Sequence, residues 1–359
     1  MDKSIREKYT VVIGLEVHAQ LLTKTKIYTA DAAEYGGEPN THVGVISLAH
    51  PGTLPKLNKR VAEYAMKMGL ACHSEISRLQ IFDRKNYFYP DLPKGYQITQ
   101  DRTPICVGGY VTINTKTSGE RNISLNRIHI EEDAGKSIHD LEDNFSCIDL
   151  NRAGTPLVEI VTEPCLHSSE EAYQYVTEVR RLVQWIGVCD GNMEEGSLRC
   201  DANISIRLKG ATTLGTRVEV KNLNSIRNVK KAIDFEVERL INIVESGEKV
   251  IQQTRSFDAT NDTTFAIRKI DMRVVDDANI NFVEDLAVVK EYSRVENKQW
   301  MLEKEMLVVD FAARKDGLGF IGRKTTSYKD FTINQSLSDT IFAGTEKIKV
   351  LESSVALDD

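Results

Sequence analysis

Apolar and polar positions alternate with a period of two along Tyr9–Leu21. Val11, Ile13, Leu15, Val17 and Ala19 share one face of the predicted strand; Val12, Gly14, Glu16, His18 and Gln20 share the other. The most regular alternation is Ser197–Leu208, where Leu198, Cys200, Ala202, Ile204, Ile206 and Leu208 oppose Ser197, Arg199, Asp201, Asn203, Ser205 and Arg207. Two segments switch to helical period. Residues 168–186 open with Ser168 and Glu171, a capping box, carry an apolar stripe from Ala172 to Ile186, and stop at Gly187. Residues 226–246 repeat that logic and end at Gly247, and a shorter helix is predicted over 59–68. The rest of the first 225 residues reads mostly as strands joined by Pro- and Gly-containing turns. The predicted class is α+β: a β-rich core with two long helices, then a smaller C-terminal domain of uncertain fold.

At 359 residues the chain has room for two or three domains. With 41% hydrophobic and 28% charged residues, disordered and fibrous classes are excluded. No apolar run approaches the roughly 18 residues that span a bilayer, and the first residues show no signal-peptide core, so a cytoplasmic protein is expected. The net charge of −7 argues against nucleic-acid binding through bulk charge, though not against a local basic site. That charge is uneven: 34 Lys and Arg face 36 Asp and Glu through Lys269, but 12 face 17 from Ile270 onward. All eight prolines lie at or before Pro164, and no Cys or His follows residue 270. A domain boundary is therefore expected near residue 270, dividing 1–269 from 270–359. The six cysteines are scattered without a CxxC pair, which fits small buried side chains rather than a zinc site.

The candidate chemistry lies on the polar strand faces. Glu16 and His18 project side by side, with Gly14 leaving room for something to approach; a solvated sheet edge fits that pair equally well. Glu131, Glu132 and Asp133 are consecutive acids at a strand end, and they repel unless a cation or basic group compensates them. Glu159 lies between apolar neighbours, where a carboxylate is costly unless paired or bound to metal. Histidine and carboxylates without thiolate suit Mg²⁺ or Mn²⁺ better than zinc. The polar face around Arg199 fits a binding surface able to grip phosphate, or an ordinary solvated sheet face. Arg217, Glu219 and Lys221 share a face on the next strand, and Asn222-Leu223-Asn224-Ser225 then leads into a helix N-terminus that could receive an anion. Phe82–Asp91 mixes Arg84 and Lys85 with Tyr87, Phe88 and Tyr89, which suits a nucleotide or an RNA end, or a half-buried hairpin with snorkelling cations. A GxxxxGK[ST] loop and a GxSxG elbow are absent. The glycine spacing of 317–322 matches a dinucleotide fingerprint, but it lacks the flanking strand and helix and is read as chance.

Six segments, in order, resemble the B subunit of aspartyl/glutamyl-tRNA amidotransferases over about residues 9–269. They are Val12–His18, Phe82–Asp91, Glu131–Lys136, Asp149–Pro156, Met193–Asn203 and Glu219–Ser225. The resemblance implies an ATP-dependent carbon–nitrogen ligase that takes its amide nitrogen from glutamine. ATP would phosphorylate the side-chain carboxylate of Glu-tRNA(Gln) or Asp-tRNA(Asn). Ammonia from an amidase A subunit would displace the phosphate, the pair being braced by a small C subunit. The resemblance also implies that Glu16, His18, one or both of Glu131 and Glu132, and Glu159 hold Mg²⁺, with Glu132 also among the catalytic residues. Lys85 and Arg199 would face phosphate or the activated carboxyl, and Tyr87 would line the pocket. Arg84, Ser197, Asp201, Asn203 and Lys221 would contact the nucleotide. Two departures stand out. Gly44-Val45-Ile46-Ser47 replaces a zinc-type CxxC, so that loop is expected to be held by packing. From Ile270 the family's tail motif is not matched, and the chain stops well short of family length. A non-catalytic shortened relative that binds the A subunit or tRNA acceptor ends is thus the alternative. A free-standing Mg²⁺-dependent ligase or phosphatase is a third reading.

Overall fold

Strand period decides the layering. The structure, a computed structural model, describes residues 3–86, 88–142, 145–267, 282–295, 299–312 and 319–327. These fall into two compact units, one ending at Ile267 and one beyond it. In the first, β1 (Tyr9–Gln20) lies at the centre of a ten-stranded sheet. On one side it pairs antiparallel with β4 (Leu198–Leu208), and on the other with β3 (Pro156–Thr162). β3 continues antiparallel to β2 (Gly119–Glu132), and β4 to β5 (Val218–Leu223). Short strands extend both edges, and β5 pairs in parallel with one of them, Thr254–Asp258.

The apolar face of β1, Val11 to Ala19 at odd positions, is fully buried with the apolar stripes of two helices. These are α2 (Ser169–Trp185) and α3 (Ile226–Glu245); α1 (Lys59–Ala71) packs nearer β2. Among the described residues no helix is long and apolar enough to cross a membrane. Of the six cysteines, Cys147 and Cys165 are only half-buried, unlike the expectation for all six, and none forms a disulfide.

The helix starts are as the caps predict. Ser168 Oγ accepts from Glu171 N, and Ser225 Oγ accepts from Asn228 N. Gly187 and Gly247 then take left-handed φ of 64° and 82° beyond the last turns. The Glu171 side chain departs from a strict capping box. Instead of reaching Ser168 N it accepts from His167 N at 2.8 Å and Ser118 Oγ at 3.1 Å, and it pairs with Arg121. α1 runs past its predicted end because Gly69 continues the helix: a Cβ there would collide with Cys106 Sγ.

The loop before α1 buries Ser47 and is also tied by hydrogen bonds. The Asp31 carboxylate accepts from Thr29 Oγ1 at 2.6 Å and Gly44 N at 2.9 Å, while Val45 and Leu48 stay exposed.

Beyond Ile267 the described strands are Phe282–Val295, Gln299–Ala312 and Gly319–Ser327, an antiparallel meander. Of the glycine spacing at 317–322, Gly319 to Gly322 lie in a strand, while Gly317 and Leu318 lie outside the described residues.

Burial disfavours the charged Glu171 carboxyl, but the His167 N–H and Arg121 outweigh it and hold it below the usual carboxylate range. A depressed carboxyl contributes stability that is present above the unfolded value, about 4.3, and is lost as pH falls through the folded one. Glu171→Ala is expected to cost about 1–3 kcal/mol at pH 7. In urea denaturation at a series of pH values, its gap from the wild type should shrink below about pH 4.

Candidate functional site

Opposite the helices, the sheet presents a polar face, and ladder register sets its geometry. His18 stands directly across from Glu159 on β3 and from Arg199 on β4; Glu159 in turn stands across from His129 on β2. The result is a buried carboxylate between two imidazoles. Glu159 Oε2 lies 3.7 Å from His18 Nδ1 and 3.4 Å from His129 Nε2. His129 Nε2 is also 3.5 Å from Glu131 Oε2, and His18 Nε2 is 3.7 Å from Asp201 Oδ2.

Among the described residues, three overlapping sets of ligand-type atoms arise, each within 4.8 Å: Glu16, His18 and Glu159; His129, Glu131 and Glu159; and Glu16, Asp201 and Glu219. Glu159 joins the first two sets and Glu16 the first and third. Every donor is a carboxylate oxygen or an imidazole nitrogen, the chemistry of a hard divalent cation rather than a thiolate metal.

The electrostatics show how crowded this face is. Burial and the Glu159 charge both push the Glu16 carboxyl upward. Burial opposes a charged His129, yet Glu131 and Glu159 hold its imidazole up at about 8; His18 is raised against burial by Asp201 and Glu159. Glu159 itself, despite burial, is held well below the usual range by the two histidines and Lys85.

The three consecutive acids are separated by strand geometry. Glu131 faces the cluster and pairs with Lys85 Nζ at 3.1 Å. Glu132 faces the other way, where Lys94 Nζ sits 2.5 Å from its carboxylate and Ile98 N donates to it at 2.8 Å. Asp133 returns to the polar side and accepts from Arg199 at 2.9 Å and Gln20 Nε2 at 2.7 Å. Each acid thus meets its own cation, on a different segment.

The residues expected at the site therefore divide. Glu16, His18, Glu131, Glu159, Asp201 and Asn203 come together, Asn203 Nδ2 donating to Glu16 Oε1 at 2.8 Å. Lys221 joins them, 3.3 Å from Asp201 and 3.2 Å from Glu219, and Lys85 and Arg199 stand at the margin. Glu132 is not brought to the cluster. Neither is Ser197, whose Oγ lies 3.3 Å from Asp190 Oδ2, nor Arg84, whose guanidinium covers the Tyr96 ring at 4.4 Å. Tyr87 lies outside the described residues.

Sequence reasoning named Asp133 among the three consecutive acids and Glu219 on the face of Lys221 without giving either a role at this site, and it did not single out His129 or Lys94. His129 was within reach of it, since it stands two residues before Glu131 on one strand. Lys94 gave no such signal, because its partner is distant in the chain.

The family model described as the GatB/GatE catalytic domain matches residues 11–288, past the boundary expected at 269. A Legionella pneumophila (strain Lens) protein, named as the B subunit of an aspartyl/glutamyl-tRNA(Asn/Gln) amidotransferase, is 52% identical over 261 residues, 73% of this chain and 55% of that protein. Identically named proteins of Oleidesulfovibrio alaskensis (strain ATCC BAA-1058 / DSM 17464 / G20) and Anaeromyxobacter sp. (strain Fw109-5) are 52% and 55% identical over the same length. This chain spans about half the length of these relatives.

Lys94 and Glu132 are both nearly inaccessible, so removing one charge strands the other. Lys94→Met is expected to cost about 3–5 kcal/mol in urea denaturation. Lys85→Met should cost less, because the Lys85 ammonium is exposed and Glu131 keeps His129 and Thr99.

Proposed function

We propose a function for this chain from the family to which it belongs, the GatB/GatE catalytic-domain family. The reading is that of a B subunit of a tRNA-dependent amidotransferase, as its relatives are named. The observation that carries it is the pair of ligand sets sharing Glu159 on the sheet face opposite the helices. Phosphoryl transfer from ATP demands clustered negative groups for divalent cations beside cationic groups for substrate anions, and both stand here.

In this reading the side-chain carboxylate of Glu-tRNA(Gln) or Asp-tRNA(Asn) attacks the γ-phosphorus of ATP. ADP leaves, and an acyl phosphate forms. Ammonia, released from glutamine by an A subunit that is itself braced by a small C subunit, adds to the carbonyl carbon. Inorganic phosphate departs, one proton is lost, and the amide remains.

Glu16, His18, Glu131 and Glu159, with His129 beside them, fit Mg²⁺ by donor type and spacing. When bound, Mg²⁺ supplies charge neutralisation for the transferring phosphoryl group. Arg199 is anchored by Asp133, so its remaining N–H groups are fixed in direction toward a carboxylate or phosphate. Lys85, at the open side of Glu131, is placed to meet the same anion. Asp201, Asn203 and Lys221 hold Glu16 and its neighbours in position. Glu132 is assigned to the Lys94 pair instead of the metal set. Residues 1–269 form the catalytic part, 270–359 are a divergent region, and the setting is the cytoplasm.

One observation favours a second reading. The family match ends at residue 288, and a relative that binds the A subunit or acceptor ends without turnover would tolerate divergence beyond it.

Reconstitution of the full chain with A and C subunits, glutamine, ATP and Glu-tRNA(Gln) separates the two, with Gln-tRNA formation as the readout. Turnover is expected, and chelation of Mg²⁺ should stop it. Glu159→Gln and Glu16→Gln should each lower kcat by about 100-fold or more, roughly 3 kcal/mol of transition-state stabilisation. Wild-type turnover in either variant would overturn the metal assignment, and none in the wild-type complex would favour the non-catalytic relative.

A further inference from the structure

Between β1 and α1 the chain makes a loop closed at its neck by Asp31 and Gly44. The Asp31 carboxylate accepts from Gly44 N at 2.9 Å, and a Cβ at Gly44 would crowd that carboxylate. A loop of this length, shut at its base, is an Ω-loop. Beyond the neck its tip runs out into water. Glu38, Pro39, Asn40 and Thr41 are exposed, and Tyr35 is 72% exposed.

Polar bonds from two asparagines hold the tip. Asn40 takes a left-handed φ of 61°. Its Nδ2 donates to Ile148 O at 2.9 Å, while its Oδ1 accepts from Leu150 N at 2.8 Å. Asn151 answers from the other segment: its Oδ1 accepts from His42 N at 2.8 Å, and its Nδ2 donates to Glu38 O at 2.7 Å. Each asparagine thus clasps the backbone on which the other stands. Water competes for bonds of this kind at the surface, and a segment held chiefly by them lies at the low end of local stability.

The tip is also part of the site. Beyond His18, a recess of about 500 Å³ is lined by Gln20, Arg152 and Arg199, and by Tyr35, Gly36 and Gly37 of this loop. Asn151 lines it too, so the clasp is built into its rim. Gly36 has a φ of 89°, and nothing lies within 4 Å of a Cβ placed there, so it serves backbone conformation rather than packing. Such a residue suits a hinge. Tyr35, beside it, keeps an aromatic ring in water that would gain burial by folding over the recess.

In the kinase reading, Arg199 faces the acyl phosphate here. Water consumes an acyl phosphate as ammonia does. It adds to the carbonyl carbon, inorganic phosphate leaves, a proton is released and the carboxylate is restored. The ATP is then spent without an amide. Covering the recess between phosphorylation and amination prevents that loss.

We infer that the strap Glu34–His42 is a lid on this recess, latched by Asn40 and Asn151, and that it keeps water from the acyl phosphate. Release of the latch admits the acceptor, and its closure commits the intermediate to ammonia. The inference rests on the kinase reading above and adds to it a control on how ATP is spent.

The test uses the full chain with A and C subunits, glutamine and Glu-tRNA(Gln), and counts ATP hydrolysed against amide formed. The wild type should consume and form nearly equal amounts. Asn40→Gly keeps the left-handed backbone and removes the side-chain bonds to Ile148 and Leu150. It should raise ATP spent per amide at least about threefold, with ATP turnover itself within about threefold of wild type. Hydrogen exchange of residues 34–44 should be at least about tenfold faster in this variant, with α2 and α3 unchanged. If Asn40→Gly does not fold, Asn40→Asp, which loses only the donor to Ile148 O, carries the comparison. A variant damaged only in its folding would lose ATP turnover and amide together and keep their ratio. That result, an unchanged ratio beside faster exchange, or unchanged exchange would each overturn the lid and leave the kinase reading intact. A wild-type complex that hydrolyses no ATP would remove that reading and the lid with it.

Discussion

Glu159 places an ionised carboxylate inside a wide sheet, and much of the surrounding architecture keeps that charge tolerable. An unpaired buried carboxylate is among the costliest groups a fold can hold. Its compensation arrives through backbone pairing, since His18 and His129 stand opposite it on the two flanking strands. A slip of one residue in either ladder would put an apolar side chain beside Glu159 and turn a histidine toward the helices. Register is therefore enforced from both sides of the sheet: by apolar burial under α2 and α3, and by charge on the open face.

The run Glu131-Glu132-Asp133 extends the same constraint to distant parts of the chain. Alternation sends the middle acid to the opposite side of the sheet, so three neighbours in sequence draw on Lys85, Lys94 and Arg199 separately. These contacts tie the hairpin of Asp83–Asn86 with Tyr96–Thr99, the turn before Tyr96, and β4 to the end of β2. Around Glu16, Glu159, Asp201 and Glu219 the carboxylates still crowd one another, and raised histidine protonation goes part of the way to balancing them. A divalent cation supplies more charge in less space. That difference is why the cluster reads as a metal centre and the Lys94–Glu132 pair as a fixed structural tie.

Much of the fold was legible because its signals are local. Ser168 and Ser225 mark helix starts, Gly187 and Gly247 mark stops, and the alternation of Tyr9–Leu21 states which side chains share a face. Local signals also misled. Gly69 sits inside a helix where Cys106 leaves no room for a Cβ, Ser197 turns to Asp190 rather than to the site, and Asp31 ties the loop around Gly44. In each case the deciding partner is remote or sits in an irregular segment, where periodicity carries no information.

By itself, the sequence determined the faces of its strands and the ends of its long helices, because both depend on residues two to four positions apart. It also placed Glu16 and His18 on one polar face and marked Glu131 and Glu159 as carboxylates that need a compensating partner. Only the tertiary structure decided that these faces adjoin, that His129 joins Glu131 and Glu159, and that Glu132 leaves them. Backbone hydrogen bonds are alike for every strand, so which strands pair, and in what register, is settled by burial and charge summed over the whole sheet.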